Sequence, residues 1–239
     1  MNKKEFLYDG KAKEIYATDV ADQVLMYYKD DATAYHGVKK SPIRDKGMLN
    51  NRISELIFTY LNRKGIPTHF IKRVDDQHQL CHKLSIIPLE FVTRNIIAGA
   101  LSRRLDIEEG RIPDNPIVEI CYKNDDLRDP FVNETHVLGL KIATSQELAF
   151  IQNTLLKINE LLLDLFNSIG IMLVDFKVEF GRDKDGNILL ADEISPDSAR
   201  FWDKNTRERL DKDRFKRDMG KVEESYRTVL KRLEQALKC

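Results

Sequence analysis

The segment from Ile171 to Trp202 constrains the fold most, because it predicts a β-hairpin with one charged face. Its first half alternates strictly between apolar and charged residues, which is the period of an extended strand. The apolar face carries Val174, Phe176, Val178 and Phe180, and the charged face carries Asp175, Lys177 and Glu179. The dipeptide Asp185-Gly186 then predicts a tight turn. An apolar strand returns from Ile188 to Ile194.

A two-residue turn at this position places Glu179 directly opposite Asp192 on the returning strand. Two carboxylates that face each other across a sheet repel unless a positive charge lies between them. A hard divalent cation would fill this place, since it takes oxygen ligands and keeps positions free for substrate phosphates. Lys177, on the same face, would supply a second positive charge for an anionic substrate.

The alternative is a solvated face whose charges have no function. Most charged residues on strands are exposed in this way. The residues around Asp192 are apolar, however, and a carboxylate without a partner is costly in such surroundings. We therefore favour a functional carboxylate pair. A longer loop would move Asp192 away from Glu179, so the register is itself a prediction.

Composition and charge exclude several classes of protein. The 239 residues suffice for one large domain or two modest ones that share a cleft. Lys plus Arg and Asp plus Glu number 39 each, and this balance argues against a nucleic-acid or membrane partner. Three widely spaced cysteines without a CxxC pair disfavour structural zinc and a disulfide framework. With no signal peptide and no long apolar run, we expect a cytoplasmic protein.

Elsewhere the chain predicts a series of short strands and four helices. The predicted strands are 5–8, 13–18, 23–29, 68–74, 80–87, 89–95 and 117–122, and the predicted helices are 46–65, 96–104, 146–169 and 222–237. Residues 31–47 and most of 106–135 are predicted to be loop, and the charged segment 210–218 is predicted to be half exposed. The most plausible boundary between two lobes lies near Pro88.

Two short motifs could bind phosphate. The GKAK turn at residues 10–13 can lay backbone N–H groups and two ammonium groups over phosphates, although it is not a Walker loop and could be an ordinary exposed basic turn. Arg94 precedes the free N–H groups of a short helix, which suits a phosphate monoester. The alternative there is a surface arginine beside a tight turn.

The carboxylate pair, the Gly-Lys turn and the arginines together describe an enzyme that uses ATP and a phosphorylated second substrate. No Ser-His-Asp or Cys-His arrangement is suggested. His78 and His82 stand four residues apart, but they lie in a segment with a strand pattern, which disfavours a zinc site.

The same motifs resemble the SAICAR synthetase family of de novo purine biosynthesis. The matching segments are LVDFKVEFG (173–181), ADEISPDSAR (191–200), GKAK (10–13), LEFVTRN with IAGAL (89–101), KGMLNN (46–51), GIPTHF (65–70) and DKDRF (211–215). They occur in order between residue 7 and about residue 235. The first two are the most specific.

The resemblance implies an α+β, two-lobed architecture similar to the ATP-grasp and kinase-like folds, with antiparallel sheets and a nucleotide cleft between the lobes. Residues 1–88 would form a β-rich nucleotide-binding lobe, and residues 89–239 would form an α+β lobe with the metal and ribotide sites. The implied reaction joins L-aspartate to the carboxylate of the ribotide CAIR and yields SAICAR, ADP and phosphate. Mg²⁺ would be the cofactor, and a homodimer is the favoured assembly.

The resemblance also assigns roles to individual residues. The reacting end of the substrate would be oriented by Lys177, Asp175 and Asp197. ATP would be bound by Gly10, Lys11, Ala12, Lys13, Lys83, Glu90 and Lys123, with the segment 82–90 beside adenine. The ribotide phosphate would be bound by Arg94, Arg200 and Ser102, and Mg²⁺ by Glu179 and Asp192. Weaker assignments, on the aspartate or phosphate side, are Asp129 and Arg214.

Two departures from the family pattern predict a weaker grip on CAIR. Ala100 stands where many relatives have a serine, and His36 stands where some have an aspartate.

Three rival functions remain open: a different ATP-dependent carboxylate–amine ligase, a protein kinase, and a nucleotide-binding regulatory module. A protein kinase would carry the GxGxxG and catalytic-loop motifs, which this sequence lacks. The presence of Glu179, Lys177 and Asp192 argues against a regulatory module that catalyses no reaction.

Overall fold

The structure is a computed structural model that describes residues 5–34 and 39–237. The helices are α1 (Lys46–Arg63), α2 (Gly99–Leu105), α3 (Glu134–Gly139), α4 (Ser145–Ser168), α5 (Asp213–Lys216) and α6 (Val222–Leu237). The strands are β1 (Phe6–Asp9), β2 (Lys13–Ala17), β3 (Gln23–Tyr28), β4 (Asp31–Ala34), β5 (Lys39–Pro42), β6 (Phe70–Arg73), β7 (His78–His82), β8 (Ser85–Arg94), β9 (Ile117–Tyr122), β10 (Phe131–Val132), β11 (Ile171–Arg182), β12 (Ile188–Ala191) and β13 (Ala199–Asp203).

The strands form two larger sheets and one small hairpin. The N-terminal sheet has the order β1-β2-β3-β7-β6, and the second sheet has the order β10-β9-β8-β11-β12. Strand β13 also pairs with β11, and β4 pairs with β5. These ladders are all antiparallel. The α+β class with antiparallel sheets is therefore confirmed.

The predicted register of the β11–β12 hairpin is wrong by one residue. Glu179 pairs with Ala191 rather than with Asp192. The loop closed by Asp183 and Asn187 has three residues instead of the predicted two: the Asp183 backbone N–H donates to the Asn187 carbonyl at 2.9 Å, and the Asp183 carboxylate accepts the Asn187 N–H at 2.8 Å. Asp192 consequently lies just beyond the strand, with a φ of 70°.

The predicted apolar face of β11 is interrupted by a bulge opposite β13, between Leu173 and Asp175. Phe176, Val178 and Phe180 enter the main hydrophobic core as predicted. Val174 instead packs in a separate cluster with Ile96, Ala98 and Trp202. The bulge shifts the alternation at that point, so the face prediction is wrong for Val174 alone.

The predicted strands 80–87 and 89–95 are divided differently in the structure, where β7 ends at His82 and β8 runs unbroken from Ser85 to Arg94. Three predictions of loop or exposed segments also differ. The segment 31–47 is not a loop throughout, because β4 and β5 form an antiparallel pair there. The region 106–135 also contains β10, and α3 begins at its end. The segment 210–218 is more buried than predicted. Asp211 accepts the backbone N–H of Phe201 at 2.9 Å, and Asp211 and most of α5 are buried.

The long helices follow their predicted patterns, and α4 packs on β11 of the second sheet. The apolar stripe of α4 packs in the main core, and α6 packs against α1. Strand β8 continues through Pro88, so the predicted boundary falls inside a strand, and the division into lobes stays a prediction. In the described part of the chain, no helix is both long and apolar enough to span a membrane.

His69 joins the N-terminal sheet to the β11–β12 hairpin. Its backbone N–H donates to the Leu190 carbonyl at 2.8 Å, and its ring Nε2 lies 3.0 Å from the Asp192 carbonyl. Burial, with the ammonium of Lys13 as the next cause, lowers the pKa of His69 from 6.5 to about 4. Below pH 6.5 the unfolded chain therefore takes up a proton that the folded protein does not.

We predict that the free energy of unfolding falls as the pH drops from about 6.5 to about 4, with His69 contributing up to about 3 kcal/mol of that loss. Urea unfolding at several pH values would measure it. A His69→Gln variant should have a shallower slope over this range. Equal slopes for the two proteins would contradict the assignment.

Candidate functional site

Two carboxylates do face each other across the sheet, although the pair differs from the predicted one. Strand β11 pairs with β8 in a register that sets Glu179 opposite Glu90. Lys177 relieves the repulsion: its Nζ lies 2.5 Å from Glu90 Oε1 and 3.7 Å from Glu179 Oε1. Lys123, just after β9, binds both oxygens of Glu179 at 2.5 and 2.6 Å.

Asp192 joins this group through its side chain despite the register shift. Its Oδ2 lies 3.5 Å from Lys177 Nζ, and its Oδ1 is bonded to Lys13 from β2. Lys13 also contacts Glu193 Oε1 at 2.9 Å and so connects the N-terminal sheet to the hairpin. The predicted metal ligands, Glu179 and Asp192, are therefore both held against Lys177.

The charges in this lysine–carboxylate cluster (Lys13, Lys123 and Lys177 with Glu90, Glu179, Asp192 and Glu193) are strongly interdependent. Burial opposes the charge on Lys177, but the carboxylates of Asp192, Glu179 and Glu90 outweigh it and raise the pKa of Lys177. Burial and the charge of Asp192 raise the pKa of Glu179. The pKa of Asp192 is lowered, because Lys13, Lys177 and Lys123 outweigh its burial.

Glu193 is a site residue that the sequence analysis missed. It is buried, and its Oε2 accepts the Ser195 hydroxyl at 2.6 Å. The only sequence signal was its place beside Asp192 in the specific DEISPD motif.

A second cluster contains the predicted ribotide-binding arginines. Arg94 Nη1 and Arg200 Nη1 both donate to Asp175 Oδ2, at 2.8 and 2.7 Å. Glu119 accepts from Arg94 at 2.6 Å, and Asp213 accepts from Arg200 at 2.8 Å. Asp175 thus holds the two guanidinium groups side by side, and Glu119 and Asp213 are partners that no local pattern indicated.

The start of α2 lies against Arg200. Gly99 has a φ of +61°, and a Cβ atom there would lie 2.4 Å from Arg200 Nη2. Ser102 is predicted to bind phosphate, and in the structure its hydroxyl donates to the Ile107 carbonyl at 2.7 Å. Ala100 is exposed on the same helix.

Asp197, predicted at the reacting end, is fixed by two residues that the sequence analysis did not identify. Lys46 Nζ, at the start of α1, lies 2.5 Å from its Oδ2, and the Tyr226 hydroxyl of α6 donates to its Oδ1 at 2.7 Å. Burial opposes its charge, but Lys46 outweighs it and the pKa of Asp197 is lowered.

The remaining predicted residues lie outside these clusters. Lys11 is exposed and pairs with Asp125. In the same turn Gly10 donates to the Lys13 carbonyl, and the Ala12 carbonyl accepts from Lys29. Lys83 is exposed at the end of β7. Asp129 accepts the Asn124 N–H at 3.0 Å, and Arg214 is buried against Glu208 and three carbonyl groups. His36 lies outside the described residues.

The donor set of the lysine–carboxylate cluster suits Mg²⁺, which binds to one or two carboxylates and completes its shell with water and substrate phosphates. Among residues 5–34 and 39–237, no three His, Cys, Asp or Glu side chains form a metal site of their own. The cluster thus offers the carboxylates of Glu179 and Asp192 as hard oxygen donors, with three ammonium groups nearby that can neutralise phosphates.

Comparison with known proteins agrees with this geometry. The family model for SAICAR synthetase matches residues 6–233. The phosphoribosylaminoimidazole-succinocarboxamide synthase of Fusobacterium nucleatum subsp. nucleatum is 53% identical over 235 residues, which is 98% of this chain and 99% of that protein.

Two solved structures are also similar. The synthase from Ehrlichia chaffeensis has a TM-score of 0.95 and 47% identity, covering 96% of this chain and 98% of that one. A SAICAR synthetase in complex with ADP has a TM-score of 0.92 and 46% identity, covering 96% and 97%. The chain therefore belongs to the SAICAR synthetase family.

Proposed function

We propose that this protein is an ATP-dependent ligase that joins L-aspartate to the carboxylate of CAIR and releases SAICAR, ADP and phosphate. The observation that carries the proposal is the lysine–carboxylate cluster beside the paired arginines, in a chain that belongs to this family. The ADP complex of a relative 46% identical to this chain supports a nucleotide as co-substrate.

The reaction must activate a carboxylate, which is a poor electrophile. In the proposed sequence an oxygen of the CAIR carboxylate attacks the γ-phosphorus of ATP, and ADP leaves. The amine of aspartate then attacks the acyl carbon, phosphate leaves, and the new amide nitrogen loses a proton. Both steps concentrate negative charge on phosphate oxygens, so the protein contributes mainly by positioning and by neutralising charge.

Lys13, Lys123 and Lys177 are suited to neutralising that charge. Each is paired with carboxylates in the present structure, and the proposal is that phosphate oxygens take over part of this pairing. Glu179 and Asp192 would then hold Mg²⁺, which when bound supplies additional positive charge at the phosphates. Lys11 and the Gly10–Lys13 turn would cover the nucleotide, with the segment 82–90, including Lys83 and Glu90, beside adenine.

Arg94 and Arg200 are suited to the ribotide phosphate. Two guanidinium groups held by one carboxylate present several N–H donors in fixed directions. Asp175 would act by orienting them, and Asp197 would face the reacting end from its bonds to Lys46 and Tyr226. Because Ala100 lacks a hydroxyl and Ser102 donates to a carbonyl, we expect a weaker grip on CAIR than in relatives with serine.

The proposal includes the larger architecture. The two sheets would belong to two lobes related to the ATP-grasp and kinase-like folds, with the nucleotide between them. A homodimer and a cytoplasmic location complete the proposal, which includes no nucleic-acid partner.

The function predicts that ADP release requires ATP, CAIR and L-aspartate together. A coupled assay for ADP with each substrate omitted in turn would measure this. Equal turnover with an unrelated carboxylic acid in place of CAIR would favour a different ligase of the same type. Tight ADP binding without any turnover would instead favour a regulatory module.

The contact between Gly99 and Arg200 yields a second prediction. A Gly99→Ala substitution should displace the Arg200 guanidinium and strain the backbone, raising the KM for CAIR about tenfold or more while leaving the KM for ATP nearly unchanged. Gly139→Ala is the matched control, since a Cβ atom there meets nothing within 4 Å. An unchanged KM for CAIR in Gly99→Ala would remove Arg200 from the phosphate site.

A further inference from the structure

Lys212 stands apart from the other shielded cations of the protein. In the described part of the chain, every other buried or half-buried lysine or arginine has a carboxylate oxygen within 4.0 Å. Lys212 is half-buried and has none there. A shielded ammonium group without a counter-ion is unfavourable for folding, so its presence calls for a ligand.

The position of Lys212 connects it to the candidate site. Its backbone N–H donates to the Pro196 carbonyl at 2.9 Å, which places it beside the loop that carries Asp197. In the same loop the Ser198 carbonyl accepts the backbone N–H of Lys177 at 2.8 Å. Asp213, which follows Lys212 in the chain, accepts a hydrogen bond from Arg200. Lys212 therefore lies between the reacting-end residues and the paired arginines.

The electrostatic surroundings of Lys212 favour an anion. Burial lowers the pKa of Lys212. The carboxylates of Asp197 and Glu193 oppose this shift, whereas the ammonium groups of Lys46 and Lys216 add to it. Asp197 is bonded to Lys46 and Tyr226, Glu193 is bonded to Lys13 and Ser195, and Lys216 contacts Asp213 at 3.2 Å. The carboxylates near Lys212 thus have other partners.

We infer that Lys212 receives a carboxylate group of the amino-acid substrate, L-aspartate. This inference rests on the proposed function and names a residue that would select a dicarboxylate. The other anionic groups of the reaction have their own cations in the proposed function. The nucleotide phosphates and the CAIR carboxylate that attacks them have Lys13, Lys123 and Lys177, and the ribotide phosphate has Arg94 and Arg200. The carboxylates of aspartate remain, and Lys212 is the shielded cation that remains beside them.

A Lys212→Met variant tests the inference. We expect the KM for aspartate to rise about 30-fold or more, because a shielded charge pair is lost, while the KM values for ATP and CAIR change less than twofold. Inhibition by succinate, which carries both carboxylates but no amine, should weaken by a similar factor. Lys212→Arg should recover part of the affinity for aspartate. Lys72→Met, at an exposed lysine of β6, is the matched control and should behave as wild type.

Thermal unfolding without substrates separates a binding role from a structural one. Removing an uncompensated charge should leave the Tm of Lys212→Met unchanged or raise it by about 2 °C. A Tm lowered by several degrees, or KM values that rise equally for all three substrates, would show a structural role and overturn the inference. An unchanged KM for aspartate in an active Lys212→Met variant would overturn this inference and leave the proposed function intact. A wild-type protein without ligase activity would overturn the proposed function and this inference together.

Discussion

The pairing of β8 with β11 sets Glu90 and Glu179 directly opposite each other. The rest of the site compensates for the repulsion between these two carboxylates. Like charges in this position destabilise a sheet, and removing them from water increases the cost. Lys177 and Lys123 offset that cost, and Asp192 adds a third carboxylate to the same group. A cluster of this kind is weak support for stability, because apolar residues could fill the space as well. We therefore interpret it as a site for ligands whose charges resemble those of its members.

Other ionic contacts connect distant segments of the chain. Lys13 connects the Gly10–Lys13 turn of the N-terminal sheet to the β11–β12 hairpin. Lys46 and Tyr226 fix Asp197 from two different helices. Arg94 and Arg200 converge on Asp175, one strand position from the bulge in β11. Each of these contacts joins segments of the chain that are far apart in the sequence.

The sequence predicted those features that depend on local periodicity. The alternation of β11 and the stripes of α1, α4 and α6 specify their elements directly, and the motifs around Lys177 identified the family. The register of the hairpin was not predictable from Asp185-Gly186, because Asp183 binds Asn187 and enlarges the loop. Glu119, Glu193 and Lys46 were missed for a different reason: their partners lie far away in the sequence, and only the folded chain brings them together.

We propose that Glu179 and Asp192 bind one magnesium ion next to the phosphates of the nucleotide. Calorimetric titration of ADP at several Mg²⁺ concentrations tests it most directly, with wild type, Asp192→Asn, and Asp185→Asn as a control in the exposed loop of the same hairpin. The account predicts that Asp192→Asn folds normally but loses the Mg²⁺-dependent part of its ADP affinity, about tenfold or more. The control should retain it. A wild-type dependence on Mg²⁺ in Asp192→Asn would contradict the account.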